Sequence, residues 1–248
     1  MIQTPYTITT IERSNTRGVF EVGPLMPGYG ATVANPLRRV LLSSLQGAAV
    51  TSIKIQGVDH EFSSIDHVLE DAIQIILNVK KIRLRSFADG PVTLVLESKG
   101  EKVVTAGDMK LPADVEVINP EQPILTITDK KASVSMELTV ERGVGYVPTE
   151  QRQKEKLPIG VIAVDAIFSP VKLVNFRIDD IRVGDRIDFN KVTMEIVTDG
   201  TLTPEAALRN ASEILADHFT SLAKIEVPDV VSQDAPVVKS SKKKEKEA

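Results

Sequence analysis

Between residues 29 and 45, Val33, Leu37, Val40, Leu41 and Leu45, with Ser44 among them, recur at steps of three and four. That period predicts a helix beginning somewhere between Ala31 and Asn35, with Asn35-Pro36 as cap and first turn. At about 100° per residue the stripe occupies one face. Arg38, Arg39 and Leu42 point to the other side. A leucine between two guanidinium groups has two explanations: a solvated charged face with one stray leucine, or a helix with one face for its own core and one for a partner.

Two further helices follow from the same period. One is expected over Ile65–Val79, where Ile65, Val68, Leu69, Ala72, Ile73, Ile76 and Leu77 form a stripe behind a Ser63/Asp66 capping pattern. The other is expected over Pro204–Leu222, with Thr203 as cap and Leu208, Ala211, Leu215, His218 and Leu222 at 3-4-3-4 spacing. This spacing seats two helices against each other, either within one chain or across a dimer.

The remaining chain alternates with period two. Strands are expected at Val50–Ile55, Val92–Leu96, Ile124–Thr128, Val134–Val140, Gly160–Phe168 and Lys191–Val197. Asp129-Lys130-Lys131 reads as the turn of a hairpin, and Val134, Met136, Leu138 and Val140 share one face. Gly143 and Gly145 read as a tight turn leading to Pro148 and a polar stretch without a helix. Strands outnumber helices without alternating regularly with them, so the fold class is α+β. From Pro228 onward the sequence cannot bury a core, and residues 232–248 read as a disordered linker or tail.

Composition narrows the function. The 248 residues carry 42% hydrophobic and 26% charged side chains, an ordinary globular balance. The net charge is −4. Without the lysine-rich tail from Ser232, 25 cations face 31 acids and the body stands at −6. An acidic body is a poor non-specific ligand for DNA, and 7 Phe, 3 Tyr and no Trp leave little to stack bases on. The absence of cysteine excludes disulfides and thiolate metal sites. His60, His67 and His218 lack the spacing of a helical metal site. No segment approaches the roughly 18 apolar residues of a membrane span, and the first ten residues do not read as a signal peptide. The expected setting is the cytoplasm.

Candidate chemistry is sparse. Gly28 and Gly30 begin like a dinucleotide loop, but Val33 occupies the third glycine position and no buried strand is expected to lead in. Asp59, His60 and Glu61, read as strand, would alternate faces, which suits a solvated edge better than a metal site. Asp165 interrupts the apolar run IAVDAIF, and a buried carboxylate needs a partner. A small-molecule enzyme would have to use Asp165 or the Asp59–Glu61 cluster, and neither supplies a nucleophile with a base. A nucleic-acid-binding module is a second alternative, opposed by the charge.

The order of segments is informative. GYGATVANPLRRVLLSSLQGAAVTSIKIQGVDHEFSSI, EDAIQIILNVKKI, ERGVGYVP, LPIGVIAVDAIFSPVKLVNF and TDGTLTPEAALRNASEILADHF occur in that order. Through these five blocks, over roughly residues 1–230, the chain resembles the alpha subunits of bacterial and chloroplast DNA-dependent RNA polymerase. The resemblance implies a discontinuous dimerisation domain, about 1–46 plus 171–231, with packed helices on a sheet. It also implies an inserted strand-rich domain at 47–170 that contacts the large subunits. It implies an assembly subunit that homodimerises and carries the beta and beta-prime subunits, with no catalytic residue, metal or cofactor of its own.

Residue by residue, it ties Arg39, Leu42, Arg38 and Ser43 to beta, and Lys80, Val164 and Lys191 to beta-prime. Leu37, Leu41, Leu208, Ala211, Leu215 and Leu222 are the expected dimer interface. Arg38, nearer the core side of its helix, is expected to matter less for beta and more for local structure, for example by pairing with a carboxylate of its own domain. Two departures stand out. Ala34 replaces a glycine common in the family, a change a helix accommodates. The family continues into a second folded domain that contacts DNA and activators, whereas this sequence ends at Ala248 within the lysine-rich stretch, so those contacts are not carried over.

Overall fold

A computed structural model describes residues 7–152, 158 and 160–225. The strands begin with β1 (Thr7–Arg13), β2 (Arg17–Leu25), β3 (Gln46–Ile55), β4 (Leu84–Ser86), β5 (Val92–Lys99), β6 (Lys102–Thr105), β7 (Met109–Lys110) and β8 (Val115–Val117). They continue with β9 (Pro123–Ile127), β10 (Ser133–Val144), β11 (Tyr146–Val147), β12 (Val161–Ala163), β13 (Ala166–Ile167), β14 (Val171–Val183) and β15 (Arg186–Thr198). The helices are α1 (Tyr29–Ser43), α2 (Ala72–Val79), the single turn α3 (Thr149–Arg152) and α4 (Pro204–Leu222). The class is α+β.

Two sheets carry two separate cores. The first is antiparallel, in the order β1-β2-β15-β14, and it joins opposite ends of the chain. Phe20 lies opposite Met194, and Val22 opposite Val192. Alternation puts Phe20, Val22, Val192, Met194 and Ile196 on one face. Ala34, Leu37 and Leu41 of α1 and Ala207, Leu208 and Ala211 of α4 join them in one cluster. The second sheet runs β7-β5-β10-β3-β4-β8, with β12 also pairing with β3. Its cluster combines Ile53, Ile55, Leu94, Leu96, Met136 and Leu138 with Ala72, Ile75 and Val79 of α2 and with the β6–β9 ribbon.

The structure corrects several sequence readings. α1 starts at Tyr29, earlier than expected, and Pro36 lies inside it. The start is fixed from afar: the Asn190 side-chain carbonyl accepts the amides of Gly28 and Gly30 at 2.9 and 3.2 Å. Gly28 supplies the left-handed turn at φ 80°. Pro36 removes one ladder donor, and the Asn35 side chain adds a bond to the Ala31 carbonyl at 3.0 Å.

The second helix is only Ala72–Val79, capped by Asp71, whose carboxylate accepts the Gln74 amide at 2.7 Å. Residues 65–71 do not join it, because Val68 bridges to Ile127 and Glu70 takes the Thr126 amide and hydroxyl at 2.7 and 3.0 Å. The proposed 124–140 hairpin is absent. β9 pairs with β6, and β10 lies between β5 and β3. The apolar run at 160–168 divides at Asp165 into β12 and β13, which pair with different strands. α4 and its Thr203 cap match the expectation, with the Ala206 amide 3.3 Å from the Thr203 hydroxyl. The tail at 232–248 lies outside the described residues.

Asn190 holds the α1 entry through buried hydrogen bonds and donates to Asp180 at 2.9 Å. Asn190→Ala leaves two amides without their acceptor, at about 1 kcal/mol or more each. Thermal or urea unfolding of that variant is expected to show a loss of about 2 to 4 kcal/mol.

Candidate docking surfaces

The buried stripe of α1 is Gly30, Ala34, Leu37 and Leu41. Turning about 100° per residue from it, Arg39 stands opposite the stripe and Leu42 lies between Arg39 and Arg38. Arg38, Arg39, Leu42 and Ser43 are all exposed, Leu42 by 37%. Among the described residues neither arginine has a carboxylate within 4 Å. The expected intradomain partner of Arg38 is therefore absent, since the stripe is filled by Ala34 and Leu37 and leaves Arg38 outside. The helix end is itself anchored: the Ser43 hydroxyl donates to the Arg39 carbonyl at 2.7 Å and the Ser169 hydroxyl to the Leu42 carbonyl at 3.3 Å. Two unpaired guanidinium groups beside an exposed leucine suit an acidic surface with an apolar contact.

The expected dimer residues divide. Leu37, Leu41, Leu208 and Ala211 are buried within their own chain, where α1 packs on α4. Leu41 and Ala211 are fully covered by their own chain and Leu37 and Leu208 are 8% exposed, so their spacing already serves intrachain helix packing. Leu215 is half-buried against the same cluster. Leu222 is 70% exposed, and beside it Phe219 and Ile225 are also exposed. The second half of α4 thus carries an uncovered apolar edge. Phe219 and Ile225 were missed. The signal for Phe219 was present, since it lies four residues after Leu215 and three before Leu222.

On the insert, Lys80 follows α2 and its ammonium meets Asp165 at 3.1 Å. The other Asp165 oxygen accepts the Thr149 amide at 3.0 Å, at the start of α3. The polar stretch after Pro148 therefore does begin with a helical turn. The Thr149 amide, followed by the Lys80 ammonium, holds the Asp165 carboxyl below the usual carboxylate range against the opposing cost of burial. Val164 is 1% exposed, and its amide bonds the Thr51 carbonyl at 2.9 Å. Its side chain supports the strand break and does not present a surface. Lys80 and Asp165 line a cleft with Ala49, Ile82, Arg83 and Asp199. Lys191 lies apart from them on β15, paired with Glu21 at 3.0 Å.

Among the described residues no reactive constellation forms. Asp165 is taken by Lys80 and Thr149, and Asp59, His60 and Glu61 lie in a loop, with the His60 ring 3.1 Å from the Ser63 hydroxyl. A half-buried strand, β2, does lead to the glycines, but the Gly28 and Gly30 amides bind Asn190. A Cβ on Gly30 would lie 2.8 Å from Ile178, so that glycine permits close packing. Among the described residues no group of three or more His, Asp or Glu could hold a metal ion. No helix there is long and apolar enough to cross a membrane.

Residues 53–169 match the family model of the RNA polymerase Rpb3/RpoA insert domain. The chain is 49% identical over 216 residues to the DNA-directed RNA polymerase subunit alpha of Roseiflexus sp. (strain RS-1), covering 87% of this chain and 66% of that one. It is 50% identical over 202 residues to the subunit from Moorella thermoacetica, covering 82% and 64%. It is 44% identical over 240 residues to that of Alkaliphilus oremlandii, covering 96% and 75%. The chain thus spans about two thirds of the length of the first of these relatives.

Because the Asp165 pKa is depressed on folding, its charge stabilises the fold above the ordinary carboxylate value and ceases to do so as pH falls through the lower, folded value. Asp165→Asn is expected to cost about 1 kcal/mol at pH 7. The gap between variant and wild type should stay constant down to about pH 5 and shrink below about pH 4. Urea midpoints measured across that range check it.

Proposed function

This chain belongs to the family of bacterial DNA-directed RNA polymerase alpha subunits, and from that premise we propose that it is the assembly subunit of such an enzyme. Two copies pair and together carry the beta and beta-prime subunits, which build the site that polymerises nucleotides. The chain works in the cytoplasm, contributes no catalytic side chain and needs no cofactor of its own. The observation that carries the reading is the outer face of α1, where Arg39 and Leu42 are exposed and Arg39 has no carboxylate partner among the described residues.

Beta docks there, with Arg38 and Ser43 at the border. Beta-prime docks on the insert around Lys80, with Val164 holding the strand break from beneath and Lys191 contributing from β15. The two separate cores support a division into a discontinuous dimerisation domain, about 1–46 plus 171–231, and an insert at 47–170. Dimerisation uses the uncovered end of α4, Leu215, Phe219, Leu222 and Ile225, because a two-fold axis presents the same patch twice.

An enzyme acting alone would need a free nucleophile or base, and the Asp165 carboxylate already serves Lys80 and Thr149. A nucleic-acid module is opposed by the −6 body.

A pull-down of beta by tagged chain tests the reading, with sedimentation of each variant as the control. Arg39→Ala and Leu42→Ala are each expected to sediment as wild type and lose affinity for beta about 30-fold, the equivalent of about 2 kcal/mol at an interface centre. Arg39→Lys should also bind more weakly, because an ammonium cannot form a bidentate fork. Unchanged beta binding by both alanine variants would overturn the reading.

A further inference from the structure

We propose that the two bodies are locked into one rigid unit at their joint, chiefly by a Phe168 keystone and an Arg85 clamp. The lock itself needs nothing from the assembly role; its consequence, a fixed spacing between the α1 face and the Lys80 face, rests on that reading.

The chain leaves the first body at Gln46-Gly47 and returns at Phe168–Pro170. Phe168 is 5% exposed yet belongs to neither core cluster. Its ring packs on Gly143 and its backbone carbonyl on Gly47. A Cβ on Gly143 would lie 2.6 Å from its ring, and a Cβ on Gly47 would overlap its carbonyl oxygen. Its amide donates to the Gly145 carbonyl at 2.8 Å. The departing strand and the end of β10 therefore meet on this one residue, Gly143 on its ring and Gly47 on its backbone carbonyl, at positions where any larger residue would force them apart.

The second tie stands elsewhere in the joint. Arg85 of β4, in the insert, donates from Nε and Nη2 to the Thr201 carbonyl at 3.0 and 2.8 Å. Its remaining nitrogen, Nη1, reaches Glu116 of β8 at 3.0 Å, which fixes the fork. Thr201 is itself held in the first body, since its amide and hydroxyl bind Asp199 at 2.9 and 2.6 Å and the Asp199 amide binds the Pro170 carbonyl at 2.9 Å. Beside this clamp the bodies do not close. An open cleft lies between them, lined among others by Gly47, Leu84, Arg142 and Leu202.

The chain has no cysteine, so introduced pairs can be spin-labelled cleanly. Thr32→Cys with Glu101→Cys reports across the joint, and Glu61→Cys with Glu101→Cys reports within the insert; all three sites are exposed. Labelled full-length chain is diluted with unlabelled chain so that only distances within one copy are read. The wild type is expected to give one narrow distance across the joint. Phe168→Ala combined with Arg85→Gln should broaden that distribution at least twofold and leave the distance within the insert narrow. If the latter broadens too, the milder pair Phe168→Leu with Arg85→Gln is read in its place and must meet the same criterion. A broad wild-type distribution, or a double variant as narrow as the wild type, overturns the lock. Neither result depends on whether beta binds.

Discussion

The pairing of β2 with β15 is the constraint on which the rest depends. It sets residues 17–25 against 190–197, two segments separated by most of the chain. Entropy opposes closing so long a loop, but that cost grows only with the logarithm of its length. Once closed, the sheet has a face of Phe20, Val22, Val192, Met194 and Ile196 that neither segment could bury alone. α1 and α4 cover that face from opposite ends of the sequence. The Asn190 side chain, carried on β15, then fixes where α1 begins. The helix that displays Arg39 and Leu42 is thus oriented by a strand some 150 residues further along.

Everything between Gly47 and Phe168 is an excursion from this sheet, and it builds a core of its own. The arrangement separates tasks. Each body buries its own apolar surface, and the outer faces of α1, α2 and α4 are left free of that duty. Arg39 stands opposite the stripe that seats α1, and Leu222 lies beyond the part of α4 that packs on the sheet. The faces proposed for partners are those the fold does not need for itself.

The sequence made α4 legible from end to end because its signals are local: a Thr203 cap, Pro204 in the first turn and a sustained helical period. The two-faced character of α1 was legible for the same reason. Its true start was not, because Gly28 and Gly30 serve a side chain distant in sequence. Residues 65–71 have helical periodicity, yet Glu70 and Val68 are claimed by β9. Alternation placed Val134, Met136, Leu138 and Val140 on one face, and all four are buried. Alternation does not say which strand lies alongside, so β9 and β10 were paired wrongly. The same holds for the expected dimer residues. A periodic apolar stripe marks what is buried but not by whom, and Leu37, Leu41, Leu208 and Ala211 turned out to serve their own chain. The interrupted domain came from the resemblance alone, since no local signal reports that a chain leaves a fold and returns.

The central claim is that the outer face of α1 meets a large subunit. A photo-cross-linking residue at Leu42 tests it most directly, with the same residue at Glu101 of the insert as control, each in full-length chain co-expressed with the beta and beta-prime subunits of the same genome. The account predicts a cross-link from position 42 to beta, none from position 42 to beta-prime, and background at position 101. Background yield at position 42, or equal yields at the two positions, would contradict it.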